Sequence, residues 1–307
     1  MDISKIPLRI INLDIRPDRY KAFTSVDTGF SDIERFPAVY GKNEKDFKDV
    51  TEMTKLKIAS NIRRSHEDVD SAGAWGCSQS HINLWKWFLS TDHEMLFVGE
   101  DDLAMDKFQE PKSLLKFVQS QYEKLPSYSK TTGDSGWDVW LVGFTALRDC
   151  KDWKLPDPTP VLSGVVTTPG MRCSIKDKLV DVRSFFGTHA YIVTRQGAKT
   201  LLDNAFPIEA QMDGYIGIEA QLGKLRIIAN PQYTNYLLHS DAGTDIGHAS
   251  RSLCMLSKGD HVYKILFYII MVIIFIIFIC LWIELFSGNS VFGMIDRKLQ
   301  WVYTVKT

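Results

Sequence analysis

Four apolar residues that run straight into three carboxylates set the terms for this chain: Met95-Leu96-Phe97-Val98, then Gly99, then Glu100-Asp101-Asp102. So short and unbroken an apolar run reads as a strand buried on both faces, as in a parallel sheet. Open α/β sheets bind ligands beyond the carboxyl ends of their strands, and the acidic triplet falls at such an end. Residues two apart in an extended chain point to the same side. Glu100 and Asp102 are therefore expected to face one point, with Asp101 turned away or reaching it from the other side. Crowded carboxylates raise one another's pKa unless a cation sits between them. A hard divalent ion, Mn²⁺ or Mg²⁺, suits oxygen ligands. A solvated acidic turn is the alternative.

The chain has 307 residues, enough for one large or two modest domains. Its net charge is −1 and no basic run carries interleaved aromatics, so nucleic acid is not expected as a partner. Cys77, Cys150, Cys173, Cys254 and Cys280 are scattered and form no C-x-x-C pair. That argues against a disulfide framework or a zinc site and fits a reducing compartment. Ile265 to Ile283 is nineteen residues without a charge. As a helix they extend about 28 Å, close to the hydrocarbon thickness of a bilayer. Tyr263, Lys264 and Trp282 sit where interfacial anchors belong. Residues 1–250 then form the folded domain, 251–264 a linker, 265–283 a single transmembrane helix and 284–307 a short tail. Charges at Asp2, Lys5, Arg9, Asp14, Arg16, Asp18 and Arg19 interrupt any candidate signal-peptide core. The expectation is a single-pass membrane protein whose large domain faces the cytosol.

Leu8 to Leu13 reads as a first strand. Pro17 suits a first helical position, with Asp14 as a candidate cap. Residues 42–70 are densely charged and read as solvated helix and loop. The small-residue stretch 71–80 reads as flexible, with a helix starting near Ser78 or Ser80 and placing Ile82, Trp85, Phe88 and Leu89 on one face. Residues 137–142 and 190–193 read as strands, Thr194 as the cap of the next helix, 214–222 as a helix and 225–229 as a strand. The Pro-rich stretch 150–182 reads as a long, substrate-facing loop. Strands alternating with helices indicate a layered α/β sheet.

Four blocks occur in order. They are Ile10-Ile11-Asn12-Leu13-Asp14 with Arg16 and Arg19; Arg35 through Gly41 (RFPAVYG); Gly73 through His81 (GAWGCSQSH) followed by Glu100-Asp101-Asp102; and His189 through Ala198 (HAYIVTRQGA) followed by Pro207 and Asp213. Over roughly residues 6–245 the set resembles glycosyltransferase family 25, which includes bacterial lipooligosaccharide galactosyltransferases and the collagen galactosyltransferases. The resemblance implies a GT-A-like, nucleotide-sugar-binding layered sheet. It also implies inverting transfer of a hexose, galactose or glucose, from a UDP-sugar to a glycan or protein-linked hydroxyl. A carboxy-terminal membrane span is atypical for such enzymes, so the acceptor is not carried over.

A nucleoside diphosphate leaving group needs its charge neutralised, which a divalent ion does as a Lewis acid. Glu100 and Asp102 are the expected ligands, with Asp101 as a further ligand or ribose contact. Relatives of this fold return a late histidine to the metal, and His239 matches that position. Arg16 and Arg19 follow the first strand and suit bidentate recognition of a diphosphate, unless they are a solvated helix start. Asn12 is expected at uridine or ribose, and Gln79, Ser80 and His81 at the donor, with packing as their alternative. Asp213 is the expected base for the acceptor hydroxyl, ahead of Glu219 and Asp241; it also suits a helix N-cap. Two other functions share the acidic cluster. One is a metal-dependent phosphoesterase, which lacks the second acidic strand end that a two-metal site needs. The other is a non-catalytic membrane scaffold that keeps the fold.

Overall fold

Period-two alternation of apolar residues builds the centre of the molecule. The computed structural model describes residues 2–60, 62–63, 67–108, 110–125, 136–150, 180–230, 246, 251–252 and 269–279. The chain divides into two units, Met1–Cys254 and Met255–Thr307. In the first, β1 (Leu8–Asn12), α1 (Pro17–Thr24) and β2 (Ile33–Pro37) are followed by α2 (Glu52–Ser60), β3 (Ile62–Arg63) and the long α3 (Ala72–Leu89). Then come β4 (Met95–Glu100), α4 (Ser113–Tyr122), β5 (Val139–Gly143), β6 (Ala146–Cys150), β7 (Val180–Phe186) and β8 (Ala190–Thr194). The remainder is α5 (Arg195–Asp203), α6 (Met212–Gln221), β9 (Ile227–Ala229) and β10 (Arg251–Ser252), the last paired with β3.

Eight strands form one sheet in the order β2-β1-β4-β8-β5-β9-β7-β6. β4 is buried on both faces, as expected for its apolar run. The sheet is nevertheless mixed rather than parallel. β4 lies parallel to β1, but β8 is antiparallel to both β4 and β5. Alternate residues feed two cores. Ile10, Met95, Phe97, Trp140 and Ile192 pack with Phe23 of α1 and with Leu114 and Val118 of α4. Ile11, Leu96, Val98, Leu141 and Tyr191 pack on the other face with Trp85 and Phe88 of α3, Leu201 of α5 and Ile216 of α6. The result is helix, sheet, helix. From β1 the chain moves to β2 on one side and later to β4 on the other. That makes the carboxyl ends of β1 and β4 a topological switch point, where α/β sheets open a ligand crevice.

Local chemistry explains where the helices differ from expectation. α1 does begin with Pro17, but Asp14 pairs with Arg35 instead of capping it. α3 starts at Ala72, well before Ser78, with Ser71 Oγ accepting the Ala74 N–H at 3.1 Å. The glycines that suggested flexibility serve close packing. A Cβ on Gly73 would lie 1.9 Å from the Ile246 carbonyl oxygen, and one on Gly76 2.6 Å from that of Val39. Thr194 caps α5 as its type predicts, accepting the Gly197 N–H at 3.0 Å. Part of the long Pro-rich stretch is strand, since β7 begins at Val180; its residues 151–179 lie outside the described ones.

The expected span 265–283 lies partly outside the described residues. Within it, 269–279 is helical and its side chains are exposed; among the described residues no helix is long and apolar enough to cross a membrane.

Arg195 joins α5 to the end of α3. It donates to the carbonyls of Leu89 (3.1 Å), His93 (3.2 Å) and Thr91 while its guanidinium lies over the Phe88 ring. Replacing Arg195 with Met keeps the apolar stem and removes these bonds. We expect a loss of about 2 kcal/mol, the scale of charged hydrogen bonds, read from urea denaturation midpoints.

Candidate active site

β4 ends on Glu100, and the turn after it carries Asp101 and Asp102. They line a cleft whose walls include Leu13, Arg19, Tyr40, Lys42 and Cys77. The antiparallel partner strand completes the site. Gly99 pairs with Ala190, and the Glu100 N–H donates to the His189 carbonyl at 2.9 Å. The residues just before β8 therefore lie against the end of β4. Thr188 Oγ1 donates to Glu100 Oε1 at 2.6 Å, and His189 Nδ1 stands 3.9 Å from Oε2. His189 Nε2 meets Thr145 Oγ1 at 2.9 Å.

On the other side, His81 Nε2 is 3.4 Å from Glu100 Oε1. The His81 ring stacks on Tyr191, and its Nδ1 bonds the Tyr191 hydroxyl at 2.9 Å. That hydroxyl also accepts the Trp85 indole N–H at 3.0 Å. Burial alone would push the Glu100 carboxyl up. His189 and His81 beside it outweigh that and hold it well below the usual range. Burial pushes the Tyr191 phenol and the Cys77 thiol well above theirs.

One ligand atom each from Glu100, Asp102 and His189 lie within 4.8 Å of one another. Glu100 and Asp102 thus converge as two-residue alternation predicts. Asp101 turns away: its Oδ2 accepts from Asn12 Nδ2 at 2.6 Å and its Oδ1 from Arg19 Nη1 at 3.2 Å. Burial raises the Asp101 pKa despite these two partners. Asn12 was expected at uridine or ribose. It is buried, donating also to the Arg16 carbonyl at 2.8 Å and accepting Arg35 Nε at 2.7 Å. Its side chain is spent on bracing Asp101. Arg19 does reach the cleft wall, whereas Arg16 forks onto Asp18 at 3.2 Å and is not part of that wall.

Of the expected donor contacts on α3, Gln79 bonds Asn83 at 3.0 Å and lies away from the cleft wall. Ser80 donates to the Gly76 carbonyl at 2.6 Å and accepts the Val39 N–H at 2.8 Å, tying α3 to the cleft's near wall. His81 lines the cleft, but its Nδ1 is engaged in the core.

Asp213 lies in the first turn of α6, whose N-cap is Gln211. Its two oxygens accept the Gly187 N–H at 3.0 Å and the Gly214 N–H at 2.8 Å. Burial raises its pKa. The runner-up Glu219 is buried and paired with Lys224 at 3.3 Å. His239 and Asp241 lie outside the described residues.

His189 is the residue that the sequence does not place beside Glu100 and Asp102. It opens a recognisable block, but only the antiparallel register brings it to Glu100.

The family model described as "Glycosyltransferase family 25 (LPS biosynthesis protein)" matches residues 6–216, more than half of the chain. The chain belongs to glycosyltransferase family 25. The match runs from β1 into α6 and takes in Glu100, Asp102, His189 and Asp213. No curated protein matches the chain significantly. The protein is a glycosyltransferase, and a sugar donor and a glycan acceptor follow from that class.

In this glycosyltransferase Gly187 sits at the hinge between Asp213 and His189. Its φ is +82°, and a Cβ there would lie 2.6 Å from His189 Nε2 and 2.8 Å from Thr145 Oγ1. Replacing Gly187 with Ala is expected to cost about 1–3 kcal/mol through strained backbone and overpacking. A lowered thermal midpoint measures it; an unchanged midpoint would contradict this account of the loop.

Proposed function

We propose that this glycosyltransferase is a metal-dependent, inverting hexosyltransferase with a GT-A-like donor cleft at the carboxyl ends of β1 and β4. The donor is a UDP-sugar, and the acceptor is a hydroxyl on a glycan or glycoprotein. The observation that carries this reading is the convergence of two carboxylates and one imidazole at the switch point of the sheet. Such a mixed oxygen and nitrogen donor set suits Mn²⁺ better than Mg²⁺. Glu100, Asp102 and His189 would hold the ion, which when bound neutralises the diphosphate leaving group as a Lewis acid.

The chain's own residues do the rest. Thr188 orients Glu100 through its 2.6 Å bond. Arg19, fixed by Asp101, presents positive charge on the cleft wall, as does Lys42. Asp213 serves as the base. Burial makes its carboxylate a better proton acceptor than a solvated one, and two backbone N–H groups hold it in place. The uncharged run 265–283 anchors the enzyme in a membrane, near a membrane-borne acceptor.

Phosphoester hydrolysis is the weaker reading. Among the described residues both candidate ligand groups share Glu100, so they offer no independent pair of metal sites.

Thermal shift with UDP-hexoses and Mn²⁺ tests the proposal. A donor at about 100 times its Kd stabilises by about 2.7 kcal/mol. Asp102→Asn should remove the manganese-dependent part of that stabilisation. Asp213→Asn should retain donor binding and lose transfer by about 10²–10⁴-fold. Failure of every UDP-sugar to bind under any divalent ion would overturn the reading.

A further inference from the structure

Cys77 and His81 are four residues apart on α3, so they project from one face of the helix. Both line the cleft, and with Glu100 they offer three ligand atoms within 4.8 Å of one another. His81 is fully buried, and its Nε2 makes no hydrogen bond. Its ring cannot swing away to find a partner. Nδ1 is held by Tyr191, which is held in turn by Trp85. Nε2, 3.4 Å from Glu100 Oε1, is thus fixed in the cleft wall, as the outer-shell partner of a metal-binding histidine fixes its ring.

The distances suit a tetrahedral ion. Arms of about 2.1 Å to nitrogen and oxygen place those two atoms about 3.4 Å apart. His81 Nε2 and Glu100 Oε1 are 3.4 Å apart. A thiolate arm of about 2.3 Å completes the set with a side-chain movement on the order of 1 Å at Cys77.

We propose that Cys77, His81 and Glu100 form a second cation site, selective for thiophilic Zn²⁺, which competes with the hard cation for the Glu100 carboxylate. The absence of a C-x-x-C pair speaks only against a closed structural zinc site. This one is open, with its fourth position facing the cleft. Binding displaces the Cys77 S–H proton to solvent. The thiolate and the carboxylate then balance the two positive charges of the ion, and imidazole ligates as the neutral base. Sulfur selects zinc over manganese, and zinc also stands above manganese in general affinity. Thr188 occupies only one lone pair of Oε1, which leaves the other for the ion. The site itself does not depend on the proposed transfer reaction; only its inhibitory consequence rests on that reading.

Cobalt, a coloured stand-in for zinc, gives the direct test on the full reduced chain. Co²⁺ should produce a thiolate-to-cobalt charge-transfer band and tetrahedral d–d absorption, both erased by added Zn²⁺. Cys77→Ser should abolish the band. His81→Gln should weaken zinc affinity by at least about tenfold, the scale on which even an outer-shell partner acts. Asp102→Asn should keep the band, since Asp102 belongs only to the other ligand set. Circular dichroism of each variant checks the fold. No band in the wild type, a band that survives Cys77→Ser, or one lost on Asp102→Asn would overturn the proposal. In activity assays zinc should inhibit, and excess Mn²⁺ should relieve it. Absence of sugar transfer with the cobalt band intact would count against the transferase details alone.

Discussion

The pairing of β8 antiparallel to β4 is the constraint on which the active site depends. A carboxylate buried at a strand end is costly unless polar partners surround it. β4 and its turn supply the acids, and nothing within them supplies the partners. Because β8 runs the opposite way, the residues before its first position arrive where β4 stops. Thr188 then reaches Glu100 at 2.6 Å, and His189 stands beside it. A parallel partner would bring the carboxyl end of its strand there instead, Thr194 with the start of α5. A slip of one residue in this ladder would turn the alternating side chains of β8 to the wrong faces. Tyr191 would leave His81, and Ile192 would leave the opposite core.

How far the sequence reveals this depends on the range of each interaction. Local signals are plain. The four-residue apolar run, the Thr194 cap and the 3.6-residue stripe of Ile82, Trp85, Phe88 and Leu89 all announce themselves within a few positions. The alternation of Glu100 and Asp102 is equally local, and their convergence follows from it. Strand direction is not local. Ala190 to Thr194 is a buried five-residue strand, which carries the same composition whether it runs with or against its neighbour. His189 was therefore visible as a motif but not as a partner of Glu100. Asn12 and Asp101 meet across 89 positions, so nothing near Asn12 shows that its amide is already engaged. The start of α3 was hidden differently. Gly73 and Gly76 weaken a helix by propensity, yet the crossing chain at Val39 and Ile246 leaves no room for a Cβ.

α3 links stability to chemistry more closely than any other helix in the described part. Its Trp85 and Phe88 fill the core, its Ser80 ties down residue 39, and its Cys77 and His81 line the cleft. Trp85, Tyr191 and His81 form a continuous buried chain from the core toward Glu100. Buried polar chains are costly when partly satisfied and rigid when filled. Here the core end is satisfied, and the open end is the imidazole nitrogen that faces the cleft. The core therefore fixes the orientation of a group whose remaining valence is available to a ligand.

The two oxygens of Glu100 are not equivalent, and this bears on how the two proposed cation sites would share it. Oε1 faces His81 and accepts the Thr188 hydroxyl; Oε2 faces His189. The Thr188 bond draws density from Oε1 and occupies one of its lone pairs, while Oε2 has the His189 imidazole beside it. A hard ion held by oxygens gains most from the group in which Asp102 adds a second carboxylate. A thiophilic ion at the proposed second site would gain less from the carboxylate and more from the sulfur of Cys77. Selection between the ions then follows from what stands beside the shared carboxylate, a second carboxylate or a thiol. Thr188, a residue in neither ligand group, holds that shared carboxylate in place.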